Sequence, residues 1–125
     1  MNLIILDTLF SVVKLPPIVE IPSWTGKGEF FSITRTNEEL SIVCPTIHVP
    51  DWIQKDVEHD WKCIKVEGVL DFGLTGILSS LANPLAENNI SIFAMSTFNT
   101  DYLLTKVDSM EKAKSVLENA GHTFI

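Results

Sequence analysis

From Trp61 to the C-terminus the hydrophobic period switches between two and about 3.6 twice, and that switching constrains the fold more than any other feature. Trp61 to Val66 alternates as a strand. Ile77, Leu78, Leu81, Ala82 and Leu85 then fall on one helical face, with Pro84 set to remove one backbone hydrogen bond and to kink or shorten the helix. Ile90 to Ser96 reads as a strand, Phe98-Asn99-Thr100 as a turn and Asp101 to Val107 as a further strand. Met110, Ala113, Val116, Leu117 and Ala120 line a second helix. Asp108 or Ser109 is placed to cap it and Gly121 to end it, before a last short strand at 122–125.

The order β-α-β-β-α-β is the ferredoxin-like split βαβ arrangement. The first half reads differently. Leu3 to Leu6 and Phe10 to Leu15 are strand material, and prolines at 16, 17 and 22 with Gly28 make the next stretch a loop. Residues 30–35 and 40–44 form a hairpin around Thr36 to Glu39, and 51–60 reads as a polar linker or a single helical turn. The expected organisation is a β unit over 1–60 and an α+β unit over 61–125.

The two hairpins resemble each other. Setting Asn37 against Asn99 pairs Ser32-Ile33-Thr34 with Ala94-Met95-Ser96, and Glu39 with Asp101. A duplicated architecture is the expectation, with the first copy lacking its first helix.

Charge and composition exclude several classes of function. With 16 acids against 9 bases and no Lys/Arg cluster, neither nucleic acid nor an anionic membrane is an expected partner. No apolar run is long enough for a membrane span, and the N-terminus lacks the features of a signal peptide. Cys44 and Cys63 are not closely spaced and read as reduced, buried thiols of a cytoplasmic protein. His59 and Cys63 are without a second pair to complete a zinc site, so no metal and no cofactor is expected. No titratable pair supports catalysis, and no catalytic residue is assigned. The mean hydropathy of +0.23 fits a broad buried sheet or an apolar interface. With sheet edges to cover, a homodimer is expected.

Two segments can carry chemistry. Gly68 to Leu78 runs from a strand through a glycine-bearing turn into a helix that starts near Thr75 and Gly76. The first amides of a helix have no internal acceptor and suit a carboxylate, and Gly76 lets a ligand approach the backbone closely. Ser96-Thr97-Phe98-Asn99-Thr100-Asp101 lies beside it in such a fold. Asp101 can accept from an ammonium, and Thr97 and Thr100 can add hydroxyl contacts. Taken singly, each segment reads better as an ordinary helix start or hairpin turn. Together they offer donors at one end and a carboxylate at the other, the polarity of an α-amino acid.

The run Val66-Glu67-Gly68, Asp71-Phe72, Thr75-Gly76-Ile77-Leu78-Ser79-Ser80-Leu81, Pro84-Leu85-Ala86, Asn89-Ile90-Ser91-Ile92-Phe93, Ser96-Thr97 and Thr100-Asp101-Tyr102-Leu103-Leu104 resembles the ACT domain. Its nearest likeness is the branch of small bacterial ACT proteins, aspartate kinase regulatory regions and cytosolic arginine sensors. Phe30 to Thr36 and Glu39 to Cys44 look like the degenerate first unit of those small proteins. The resemblance implies regulatory amino-acid binding at an interface between units. It places the ligand carboxylate on the amides of Thr75 to Leu78 and the ammonium on Asp101, with Ser96, Thr97, Asn99 and Thr100 around them. An interaction module that kept the fold and lost the ligand is the alternative. The ligand, the protein regulated and a second site near Thr36 and Glu39 stay open.

Overall fold

The computed structural model describes all 125 residues. The chain divides into two compact units, Met1–Asp7 with Lys62–Ile125, and Thr8–Trp61. The strands are β1 (Asn2–Ile5), β2 (Phe10–Leu15), β3 (Ser32–Arg35), β4 (Leu40–Pro45), β5 (Val57–Val66), β6 (Phe93–Ser96), β7 (Asp101–Lys106) and β8 (Thr123–Phe124), and the helices are α1 (Ile77–Glu87) and α2 (Met110–Asn119).

The C-terminal unit has the βαββαβ order of a ferredoxin-like ACT domain, from β5 through α1, β6, β7 and α2 to β8. One strand is added to it. β1 pairs antiparallel with β5, Leu3 opposite Val66, and parallel with β8, Leu3 opposite Phe124. The expected boundary at residue 60 put β1 with the first unit, but these ladders place Met1–Asp7 in the second. Backbone pairing overrides chain order here, and Leu3 shares one buried core with Ile64, Val66, Leu81, Leu85, Leu103 and Leu117.

Both helices turn their periodic apolar residues inward. Leu81 and Leu85 of α1 and Met110, Ala113 and Leu117 of α2 are buried. Both also end alike. After α2, Gly121 at φ 100° donates to Glu118 O and His122 donates to Leu117 O. After α1, Asn89 at φ 59° donates to Ala86 O and Ile90 to Leu85 O. This pair of bonds closes a helix with one left-handed residue. At the other end of α2, neither Asp108 nor Ser109 acts as the expected side-chain cap: a single 3-10 turn, Val107–Ser109, leads straight into the helix.

Pro84 leaves the Ser80 carbonyl without its helical donor, as expected of a proline within a helix. The His122 Nε2 atom fills that place at 3.0 Å. A carbonyl only accepts, so Nε2 carries the proton.

The strands of the Thr8–Trp61 unit form its whole frame, with no α-helix. β2 pairs with β4 and with the first half of β5, and β3 pairs with β4. Where a first helix would stand there is only a 3-10 turn, Ser23–Thr25. Its core gathers Val13, Leu40, Ile42, Cys44, Val49 and Ile53. The Pro/Gly loop is held to β3 by Arg35, whose guanidinium donates to Pro17 O and to Val19 O.

Candidate functional site

The loop from Gly68 to Gly76 and the β6–β7 turn meet in the C-terminal unit. The Leu70 amide donates to Asn99 O at 2.7 Å, tying one loop to the other. The loop folds on itself through Asp71, whose Oδ1 accepts from the Gly73 amide at 2.7 Å and whose carbonyl accepts from Leu74. This is the turn chemistry for which Asp is selected. Gly76 then takes φ 77° and starts α1 with no side-chain cap. A non-glycine residue is strained there, so the turn itself requires the glycine. The Gly76 carbonyl accepts the first helical bond from Ser80 at 2.9 Å. The amides of Ile77, Leu78 and Ser79 belong to the first turn, where none has an acceptor inside the helix.

The β6–β7 turn is closed by Thr97 and Thr100. The Thr97 amide donates to Thr100 O at 2.8 Å, and the Thr97 hydroxyl donates to the same carbonyl while accepting from the Thr100 amide. The Thr100 hydroxyl is buried and donates to Val66 O at 2.7 Å. The Thr97 hydroxyl therefore closes the turn and the Thr100 hydroxyl ties it to Val66, structural uses in place of the expected ligand contacts. Asp101 opens β7 opposite Ser96, and the Ser96 hydroxyl donates to its Oδ1 at 2.6 Å. The carboxylate is half-buried and oriented by that bond.

Between the two segments lies a cleft of about 310 Å³. Gly76, Ile77, Leu78, Ser96, Thr97, Asn99, Thr100 and Asp101 all line it. Thr75 does not. The sequence reading missed Leu70, Asp71, Phe72, Leu74 and Phe98, which complete the wall. Apart from Asp71, their signal was present as apolar residues in a loop with no period, normally a sign of an interface or a binding rim. Phe72 and Phe98 are 75% and 78% exposed, yet they pack edge to face with centroids 4.9 Å apart.

The site's electrostatics are simple. Its charged lining residues are Asp71 and Asp101, and the only positive potential comes from the α1 amides and the helix dipole. No three His, Cys, Asp or Glu stand together as a metal site.

The hairpins close alike, but in a register one residue away from that expected. Thr36 donates its amide to Glu39 O at 2.9 Å as Thr97 does to Thr100 O. Thr36 thus corresponds to Thr97, and Leu40 rather than Glu39 to Asp101. Across the ladders Arg35 faces Leu40 as Ser96 faces Asp101. Leu40 is fully buried and apolar. The first hairpin has no carboxylate at the position that Asp101 holds in the second.

A family model for the ACT domain matches residues 56–119, and a second model, of an N-terminal domain, matches residues 8–52. The chain belongs to the ACT domain family. Its fold is that of a crystal structure from Agobacterium tumefaciens, with a TM-score of 0.92, 40% identity, and coverage of 99% of this chain and 91% of that one. The aspartate kinase of Clostridium acetobutylicum shares the fold at a TM-score of 0.67 and 14% identity, over 91% of this chain and 33% of the kinase. Among curated proteins, the cytosolic arginine sensor for mTORC1 subunit 1 of Rattus norvegicus is 26% identical over 94 residues, 65% of this chain and 27% of the sensor. The chain thus spans about a quarter of the length of that relative. No helix is long and apolar enough to cross a membrane.

Proposed function

We propose that the chain is a non-catalytic cytoplasmic regulator that binds an α-amino acid in the cleft between the start of α1 and the β6–β7 turn. The ligand carboxylate takes the amides of Gly76, Ile77 and Leu78, and its ammonium takes Asp101. Ser96 orients the acid, Thr97, Asn99 and Thr100 shape the turn beneath it, and Thr75 flanks the helix start. The single observation that carries this reading is that one cleft holds both halves of the site, first-turn amides on one wall and an oriented carboxylate on the other. Kinship with a protein named as an arginine sensor supports the ligand class. The tandem reading goes with it, as a degenerate unit over Thr8–Trp61 and a binding unit of Lys62–Ile125 completed by Met1–Asp7, and so does a homodimer.

Thermal unfolding with each common amino acid at millimolar concentration tests this, beside Asp101→Ala and the isosteric Asp101→Asn. Ligand at 100 times its Kd adds about 2.7 kcal/mol. In a domain of this size that raises the midpoint by roughly 10 °C. A rise with one amino acid, lost in both variants, is the expected result. The alternative, an interaction module that has lost its ligand, gives no rise with any amino acid.

A further inference from the structure

The Thr8–Trp61 unit contains a cavity of its own, which the reading above does not use. Its volume is about 520 Å³, within the roughly 300–1,000 Å³ of small-molecule sites. Val49, Ile53 and Val57 supply apolar lining, and the first two belong to the buried core. Thr46, His59, Asp51 and Asp60 supply the polar lining.

The wall is held from behind by a chain of hydrogen bonds. The Ser11 Oγ atom lies 2.7 Å from His59 Nδ1 and 2.8 Å from Thr46 Oγ1. These three residues come from β2, β5 and the turn after β4, so the chain fixes three separate elements around one opening. The backbone is shaped for it. Phe10 faces Trp61 while Val12 faces Glu58, so β5 carries one more residue than β2 between those pairs. The extra residue falls in the stretch His59–Asp60, and Asp60 sits at φ 68°. A bulge of this kind re-aims a side chain and recurs beside functional sites. A serine beside an imidazole also suggests a nucleophile, but Ser11 is fully buried and no substrate can reach it. Its role is to hold the ring.

The charge of the lining decides the ligand. Asp51 and Asp60 are its carboxylates, and no Lys or Arg contributes. An anion is excluded by repulsion, and the apolar lining suits a short hydrocarbon body. We propose that this cavity is a second binding site, for a small alkylammonium compound, with the ammonium at Asp51 and Asp60, the chain against Val49, Ile53 and Val57, and His59 held in the wall by Ser11.

Titration of the full chain with n-butylammonium chloride, with sodium butyrate as control, tests the site. Trp52 lies between two wall residues and is three-quarters exposed, which makes its emission the readout, with Trp52→Phe as the assignment control. The expected result is saturable binding of the amine and none of butyrate. Exposed ion pairs contribute little each, so Asp51→Asn or Asp60→Asn should weaken binding about threefold and the double variant about tenfold. Asn is chosen because it tolerates the left-handed backbone at 60. Ser11→Ala, accepted only if its unfolding curve matches the parent, should weaken binding as well. Asp101→Asn should leave it unchanged, which separates this site from the first. No saturable binding of the amine, binding unaffected in the double variant, or equal loss in Asp101→Asn would each overturn the proposal.

Discussion

At the scale of single residues, the structure assigns particular tasks to atoms whose types alone are ordinary. Pro84 and His122 meet at one carbonyl: the proline removes its donor, and the imidazole supplies another from 42 residues away in sequence. Replacing His122 with Ala should cost about 2 kcal/mol in urea unfolding, because Nε2 donates to Ser80 O, Nδ1 accepts from the Met1 ammonium at 3.2 Å, and each bond has the usual net worth. In a Pro84→Ala background an amide returns to satisfy Ser80, so the cost should shrink. A double-mutant cycle that shows no coupling between the two positions would refute the shared carbonyl. Cys44 makes a second case. Burial raises its thiol to about 11 from 9.0. At pH 8 roughly one thiol in a thousand is then ionised, and alkylation should be slow until the chain unfolds. Linkage runs the same way. The folded thiol holds its proton more tightly than the unfolded one, so its contribution to stability is intact below pH 9.0 and declines as pH rises toward 11. Midpoints measured between pH 8 and 11 should fall more in the parent than in Cys44→Ala.

At the scale of elements, the sequence disclosed whatever was periodic and local. Leu81 with Leu85, and Ala113 with Leu117, announced α1 and α2 because a buried helical face must repeat. The helix end at Gly121 was legible because only glycine takes its φ of 100° without strain. An added Cβ there would meet nothing within 4 Å, so Gly121→Ala should cost only the conformational term, about 1 kcal/mol. Gly28 has φ 98° and its Cβ would stand 2.8 Å from Pro45 Cγ, so Gly28→Ala should cost more. Equal losses in chemical denaturation would contradict that ordering. Two elements were hidden. The first half of β5 read as a polar linker because Glu58, His59 and Asp60 are exposed, and an exposed strand has no apolar alternation to betray it. β1 was assigned to the wrong unit because its partners lie some 60 and 120 residues on, at Val66 and Phe124, and pairing at that separation leaves no local trace. The hairpin likeness was visible but misread by one residue. The eye aligns Asn37 with Asn99, whereas the turn is set by the bonding of Thr36 and Thr97. In the site, the helix start and Asp101 were legible as polar groups beside glycine, while the apolar wall from Leu70 to Leu74 was not.

At the scale of the whole molecule, the exposed apolar side chains bear on assembly. Val69, Phe72, Leu74 and Phe98 are between 55% and 78% exposed, and all four belong to the C-terminal unit. Three of them line the cleft between the start of α1 and the β6–β7 turn. Monomeric proteins rarely leave large aromatic residues clustered in water, and a patch of this kind marks an interface. A second copy of the chain is the partner that brings a matching apolar patch, through the self-complementary contact of a two-fold dimer. Sedimentation at micromolar concentration should therefore give a dimer, and Phe72→Ser with Phe98→Ser should shift it to monomer without lowering the helix content. On the proposed function, the same double substitution should weaken amino-acid binding, because a partner over the cleft would exclude water, and hydrogen bonds are stronger in the lower dielectric that results. Dimer and ligand are then linked. Ligand should tighten the dimer by the same factor by which the dimer tightens ligand. A chain that sediments as a clean monomer with and without its amino acid would show that the aromatic rim serves a different protein, and that any signal passes through that hetero-complex.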